Sequence, residues 1–121
     1  MQTWDLAAMD VSPHHPEVVC SNAEGRAIVI SLPGGEWLDE HQVHEASWLV
    51  VTAGQVELTD AAGASVSGGV GLLVHSPPNE RHEVRAITDA RVLLLLTPWP
   101  GDGHPSQRAR EDPGAIGSKP G

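Results

Sequence analysis

The 121-residue chain contains no Phe and no Tyr, and its whole aromatic content is four Trp. No phenol is therefore available as a general acid, and stacking platforms for nucleobases are scarce. Basic residues are few as well, 7 Lys and Arg against 16 Asp and Glu, for a formal charge of −9. Binding of a polyanion through counterion release needs the opposite balance, so nucleic acid is not an expected partner. The single cysteine, Cys20, closes no intrachain disulfide, and no Lys or Arg precedes Arg26, unlike the charged start of a secretory signal. A reducing cytoplasm is the expected compartment, with Cys20 a small hydrophobe beside Val18 and Val19. The longest strongly apolar run, Val92 to Leu96, is five residues. A membrane span requires roughly 18, and none is expected.

What is present is enough for one core. Apolar residues make up 40% of the chain, with 13 glycines besides, a globular composition in a length that suits one domain. Between Arg26 and Thr97 short β-prone runs alternate with glycine and proline: Ala27–Leu32, Trp48–Ala53, Gln55–Thr59, Ser65–Ser67, Leu72–His75, His82–Ala86 and Val92–Thr97. Helical periodicity is absent, and the breaks at Pro33-Gly34-Gly35, Asp60 to Gly63, Ser67-Gly68-Gly69, Pro77-Pro78-Asn79 and Thr88-Asp89 are turn chemistry. The pattern predicts an all-β sandwich or barrel. Residues 1–25 read as an N-terminal arm, 26–100 as the barrel, and 101–121, with five Gly and three Pro, as a flexible tail. Trp48-Leu49-Val50-Val51 and Val92 to Leu96 are apolar at consecutive positions. Both faces of those strands should be covered, one by the barrel interior and the other by a partner, so a homodimer is expected, unless the arm supplies part of the cover.

Chemistry falls to the histidines. Imidazole is the commonest transition-metal ligand, and a site built from several strands needs His or carboxylate side chains that converge. His41, His44, Glu45, His75 and His82 are the candidates inside the strand region, whereas His14, His15 and His104 sit among prolines and read as solvated loop residues. The segment His41-Gln42-Val43-His44-Glu45 lacks the spacing and the helical context of a zinc-protease motif. No nucleophile elbow, phosphate loop or dinucleotide fingerprint occurs. Glu45, Glu80 and Glu83 read as surface charges, Arg81 and Arg85 as partners of local acids or of a carboxylate at the rim, and Trp37 and Trp48 as packing residues.

Two glycine-led motifs then stand in order. Gly35 is followed by five residues and His41, with Gly54 thirteen residues beyond; Gly71 is followed by five residues and Pro77-Pro78-Asn79, with His82 closing the second motif. In these residues the chain resembles the cupins, and specifically their small single-domain bacterial members. The resemblance covers roughly residues 26–97 and implies a double-stranded β-helix, or jelly-roll, barrel with its site in the barrel mouth. Metal-binding cupins hold the ion with three His and one Glu. In this register His41 and His82 match two of the histidines, while Val43 stands at another His position and Ser47 at the Glu. Strand alternation turns His44 away from His41 unless a bulge intervenes, and His75 offers a further nitrogen.

The resemblance thus implies a barrel that binds a divalent transition metal (Fe, Mn, Ni, Cu or Zn), a small polar ligand, or both. His41, His44, His75 and His82 are the candidate ligands, and the chemistry implied is metal-assisted oxidation, isomerisation or lyase work. The alternative is a non-catalytic barrel for ligand sensing or interaction, which the missing His and Glu favour.

Overall fold

The most apolar run of the sequence, Val92 to Leu96, lies in a strand whose residues alternate between buried and half-buried from Ala90 to Thr97. A period of two is how a β-strand presents side chains to two faces. It sorts Ala90, Val92, Leu94 and Leu96 into the core and Arg91, Leu93 and Leu95 onto the opposite face. The computed structural model that shows this describes residues 1–42 and 45–98, with the backbone alone at 39–42. Among the described residues there are nine strands and no helix: β1 (Glu17–Asn22), β2 (Gly25–Leu32), β3 (Trp37–Gln42), β4 (Ala46–Ala53), β5 (Val56–Asp60), β6 (Ser65–Gly68), β7 (Leu73–Ser76), β8 (Arg81–Ala86) and β9 (Ala90–Thr97). No helix of these residues is long and apolar enough to cross a membrane.

The strands form two antiparallel sheets, β1-β2-β9-β4-β7 and β3-β8-β5-β6. From β2 to β9 every connection except the β5–β6 hairpin passes from one sheet to the other, which winds the chain into a jelly roll. Inner-face residues of β2 (Ile30, Leu32), β4 (Leu49, Val51), β5 (Val56, Leu58), β8 (Val84, Ala86) and β9 fill the space between the sheets. The turns use the chemistry their residues offer. Asp60 Oδ1 accepts hydrogen bonds from the amides of Ala62 (2.9 Å) and Ala64 (3.0 Å), which closes the β5–β6 hairpin over Gly63. Gly54, between β4 and β5, has φ of +74°, and a Cβ there would run into the backbone carbonyl of Asp89. Only glycine fits that close approach.

Seven strands coincide with the β-prone runs; β1 and β3 lie outside them. Each is the edge of its sheet; β3 is mostly polar, and β1 has only the short apolar run Val18-Val19-Cys20. The first 25 residues, expected as an arm, therefore supply a strand to the larger sheet. Ahead of β1 the chain crosses the outer face of that sheet and is held by Arg91, whose Nη1 donates to the carbonyls of Leu6 and Met9, both at 2.7 Å, while Nε donates to Ser31 Oγ at 3.2 Å. Val11 is buried in this extension. The outer face is nevertheless only partly covered, since Trp48 (38% exposed) and Leu73 (58%) remain open. The segment 101–121, read as a flexible tail, lies outside the described residues.

Candidate functional site

The barrel interior is apolar at one end and polar at the other. Following the inner face of β4 backwards, Val51 and Leu49 give way to Ser47 and then to Glu45, just ahead of the strand. The same change occurs along β7, from Val74 to Ser76, and along β8, from Ala86 and Val84 to His82. All four polar residues are buried: Glu45 is 6% exposed, Ser47 3%, Ser76 5% and His82 8%. Ser47 and Ser76 are direct cross-strand partners, so their hydroxyls share one patch of the interior. Neither hydroxyl hydrogen-bonds to any described residue. Glu45 and His82 each carry an atom closed off from solvent, Oε2 and Nδ1 respectively, and each makes contacts of its own.

Glu45 corrects an expectation. Read as a surface charge, it is buried because it sits two residues before Ser47 and so shares that residue's face. Glu80 is likewise not a free surface charge, since it lines a cavity of about 300 Å³ with Asp60, Ser65, Ser76 and His82. Glu83 alternates away from the buried His82, as expected.

His82 lies in one register row with His41 of β3 on one side and Asp60 of β5 on the other. The two histidines of the paired motifs therefore meet across neighbouring strands. A bulge is present in β3, but between Leu38 and His41 rather than after His41. His44, whose inward turn a later bulge would have produced, lies outside the described residues, as does Val43. His75 turns its ring outward, exposed and against Trp48 with centroids 4.4 Å apart, although the residue also borders the cavity that Ser76 and His82 line. Strand alternation gives the reason, since its neighbour Ser76 takes the inward position. His14 is exposed and pairs with Glu36 at 3.1 Å, and His104 lies outside the described residues. Arg85 pairs with Glu57 at 3.4 Å and stands over the ring of Trp37 at 5.8 Å, a local partnership away from the interior.

Among the described residues no three His, Cys, Asp or Glu side chains are grouped to hold a metal ion. The donors at the polar end nevertheless have suitable chemistry, an imidazole at His82 and a carboxylate at Glu45, both buried, with the backbone of His41 paired to that of His82. Nitrogen and carboxylate oxygen donors in this ratio suit first-row divalent metals. Ser76 and the cavity beside β6 are features that sequence reasoning missed, because a lone serine before two prolines carries no signal of its own.

The two wound sheets and the polar end define a barrel of the cupin type. Solved structures with the same fold include an RmlC-like cupin from Desulfovibrio desulfuricans, 23% identical with a TM-score of 0.72, the match covering 81% of this chain and 97% of that one. A double-stranded β-helix protein from Klebsiella pneumoniae is 14% identical with a TM-score of 0.71 over 84% and 93% of the two chains. An RmlC-like cupin from Methanocaldococcus jannaschii is 21% identical with a TM-score of 0.65 over 70% and 80%. The sequence matches no protein-family model and no curated protein. The chain thus has the cupin double-stranded β-helix fold, at identities where likeness speaks to fold alone.

Proposed function

We propose that the protein is a small-ligand-binding barrel that holds a divalent transition metal at its polar end, with His41 and His82 as nitrogen donors and Glu45 as oxygen donor. The observation that carries this reading is the burial of Glu45 and His82 at the end of an otherwise apolar interior, with His41 in register beside His82. A metal held there would act as a Lewis acid toward a substrate oxygen, which suits oxidation, isomerisation or lyase chemistry. Ser47 and Ser76 would orient a polar ligand from the facing wall. The test is metal content after incubation with iron, manganese, nickel, copper and zinc in turn, for the parent and for His82→Ala; a parent that takes up none of them would defeat the metal site.

One observation favours a second reading. Ser47, at the position where the resemblance places a Glu, is buried and faces inward, and a serine hydroxyl is a poor metal ligand. A metal-free barrel that binds a small polar molecule without transforming it is the form this reading takes, and retained ligand binding in metal-stripped protein would support it.

We also propose that the outer face of the larger sheet joins two copies of the chain. Across β9, β4 and β7 its register rows run Leu95-Trp48-His75 and Leu93-Val50-Leu73, without a carboxylate. In a chain of net charge −9, these two rows are where two copies can approach with least repulsion.

A further inference from the structure

The cavity of about 300 Å³ lies where edge strand β6 of one sheet faces edge strand β7 of the other. It is at the small end of the range of pockets that hold a small molecule. Its lining is polarised. Its most buried polar members are Ser76 and His82, while Asp60 and Glu80 are half-buried and Ser65 is exposed at the opening. No Lys or Arg lines it. Arg26 and Arg81 make contacts of their own and stand outside the lining. Asp60 is fixed in place by the two turn amides on its Oδ1.

Ser76 supplies the second, independent observation. The residue is 5% exposed, borders the cavity, and its hydroxyl makes no hydrogen bond to any described residue. Buried polar groups are almost always hydrogen-bonded, so a hydroxyl without a protein partner that opens on a cavity is satisfied by what enters it.

We propose that this cavity takes a small hydroxylated amine, its ammonium group between Asp60 and Glu80 at the opening and a hydroxyl directed inward to Ser76. Carboxylates accept short, charge-assisted hydrogen bonds from an ammonium donor. An anionic ligand of the same shape would meet two carboxylates in a chain whose net charge is −9, and no cation of the lining would offset the repulsion. The inference rests on the reading of the barrel as a small-molecule site, but not on the metal. An inward hydroxyl would also reach toward His82, so the ligand class is compatible with a metal there.

The test uses the full chain, once stripped of metal with a chelator and once after metal loading, in an amide-resolved NMR titration at neutral pH. Three probes share one branched, hydroxymethyl-bearing carbon and differ in charge: tris(hydroxymethyl)aminomethane as the cation, pentaerythritol as the neutral form and 2,2-bis(hydroxymethyl)propanoate as the anion. The cation should bind saturably, shift the amides of Ser65, Ser76 and Glu80, and bind about tenfold more tightly than either of the others. Glu80→Gln should weaken the cation about fivefold and leave the neutral probe unchanged. Ser65→Ala, which alters an exposed position, should leave the fold intact and serves as a second variant if Glu80→Gln does not fold; there the cation and the neutral probe should weaken together. Equal or tighter binding of the anion, shifts located elsewhere, or no saturable shift with the cation would overturn the assignment. Cation binding to metal-stripped protein that takes up no metal on loading would defeat the metal reading and leave this one standing.

Discussion

His41 and His82, separated by 41 positions in the sequence, are direct cross-strand partners between β3 and β8. Directly opposed residues on an antiparallel pair share one face and lie within about 5.5 Å at Cβ. If they ligate one metal, His41→Ala and His82→Ala should each lower its affinity by at least ~10–100-fold, a loss that even outer contacts of a metal site can cause. Parallel metal titrations of both variants, of His44→Ala and of the parent check this. Equal metal content in the parent and in both first variants would remove the shared site, and the His44→Ala result decides whether that residue contributes.

Trp48 tests the interface. Trp48→Glu places a carboxylate in the middle of the apolar rows of the outer face. The variant should sediment as one chain of 12.8 kDa, while the parent sediments at about twice that mass at micromolar concentration. A parent with the mass of a single chain rules out the dimer.

Arg91 ties the N-terminal extension to the sheet through two hydrogen bonds, both to backbone carbonyls, while a third to Ser31 of β2 steadies its guanidinium. Arg91→Ala should cost about 2 kcal/mol, the scale of losing charge-assisted hydrogen bonds. It should also admit protease to residues 1–12 before the barrel is cut. Unchanged thermal stability together with an unchanged digestion pattern would mean that the extension is held by other contacts.

Gly54→Ala tests the turn that closes the first motif. The substitution combines a positive φ with a Cβ driven into the Asp89 backbone, and should destabilise the fold by about 3 kcal/mol. Gly63, whose φ is +92° but whose Cβ position is open, is the control and should lose about 1 kcal/mol on replacement by Ala. Chemical denaturation measures both; similar losses would show that backbone conformation, rather than the close approach, dominates at Gly54.

Much of the fold was legible because its central strands carry their own signal. Val92 to Leu96 and Leu49 to Val51 are apolar at consecutive positions, so each strand puts apolar side chains both into the core and onto the outer face of the larger sheet. Two of the four edge strands, β1 and β3, were not legible. Trp37–Gln42 is mostly polar, and it is a strand because β8 offers it a hydrogen-bonding edge, a condition that exists only once β8 is placed. The candidate site was legible in part for the same reason. His41 and His82 could be matched by motif, whereas the inward position of Glu45 follows from its parity with Ser47, Leu49 and Val51 on β4, and the outward position of His75 from the register of β7 against β4.

The sequence by itself determined the all-β class, the placing of most turns and the pairing of two glycine-led motifs, since these depend on local backbone preference and on periods of two. Tertiary structure alone decided which histidine and which glutamate face inward, because a one-residue change of register exchanges the two faces of a strand and nothing local fixes it. It also decided that a serine before two prolines borders a cavity, and that an arginine on β9 holds the start of the chain. Both depend on groups brought together from distant parts of the sequence, which only the packing of the two sheets supplies.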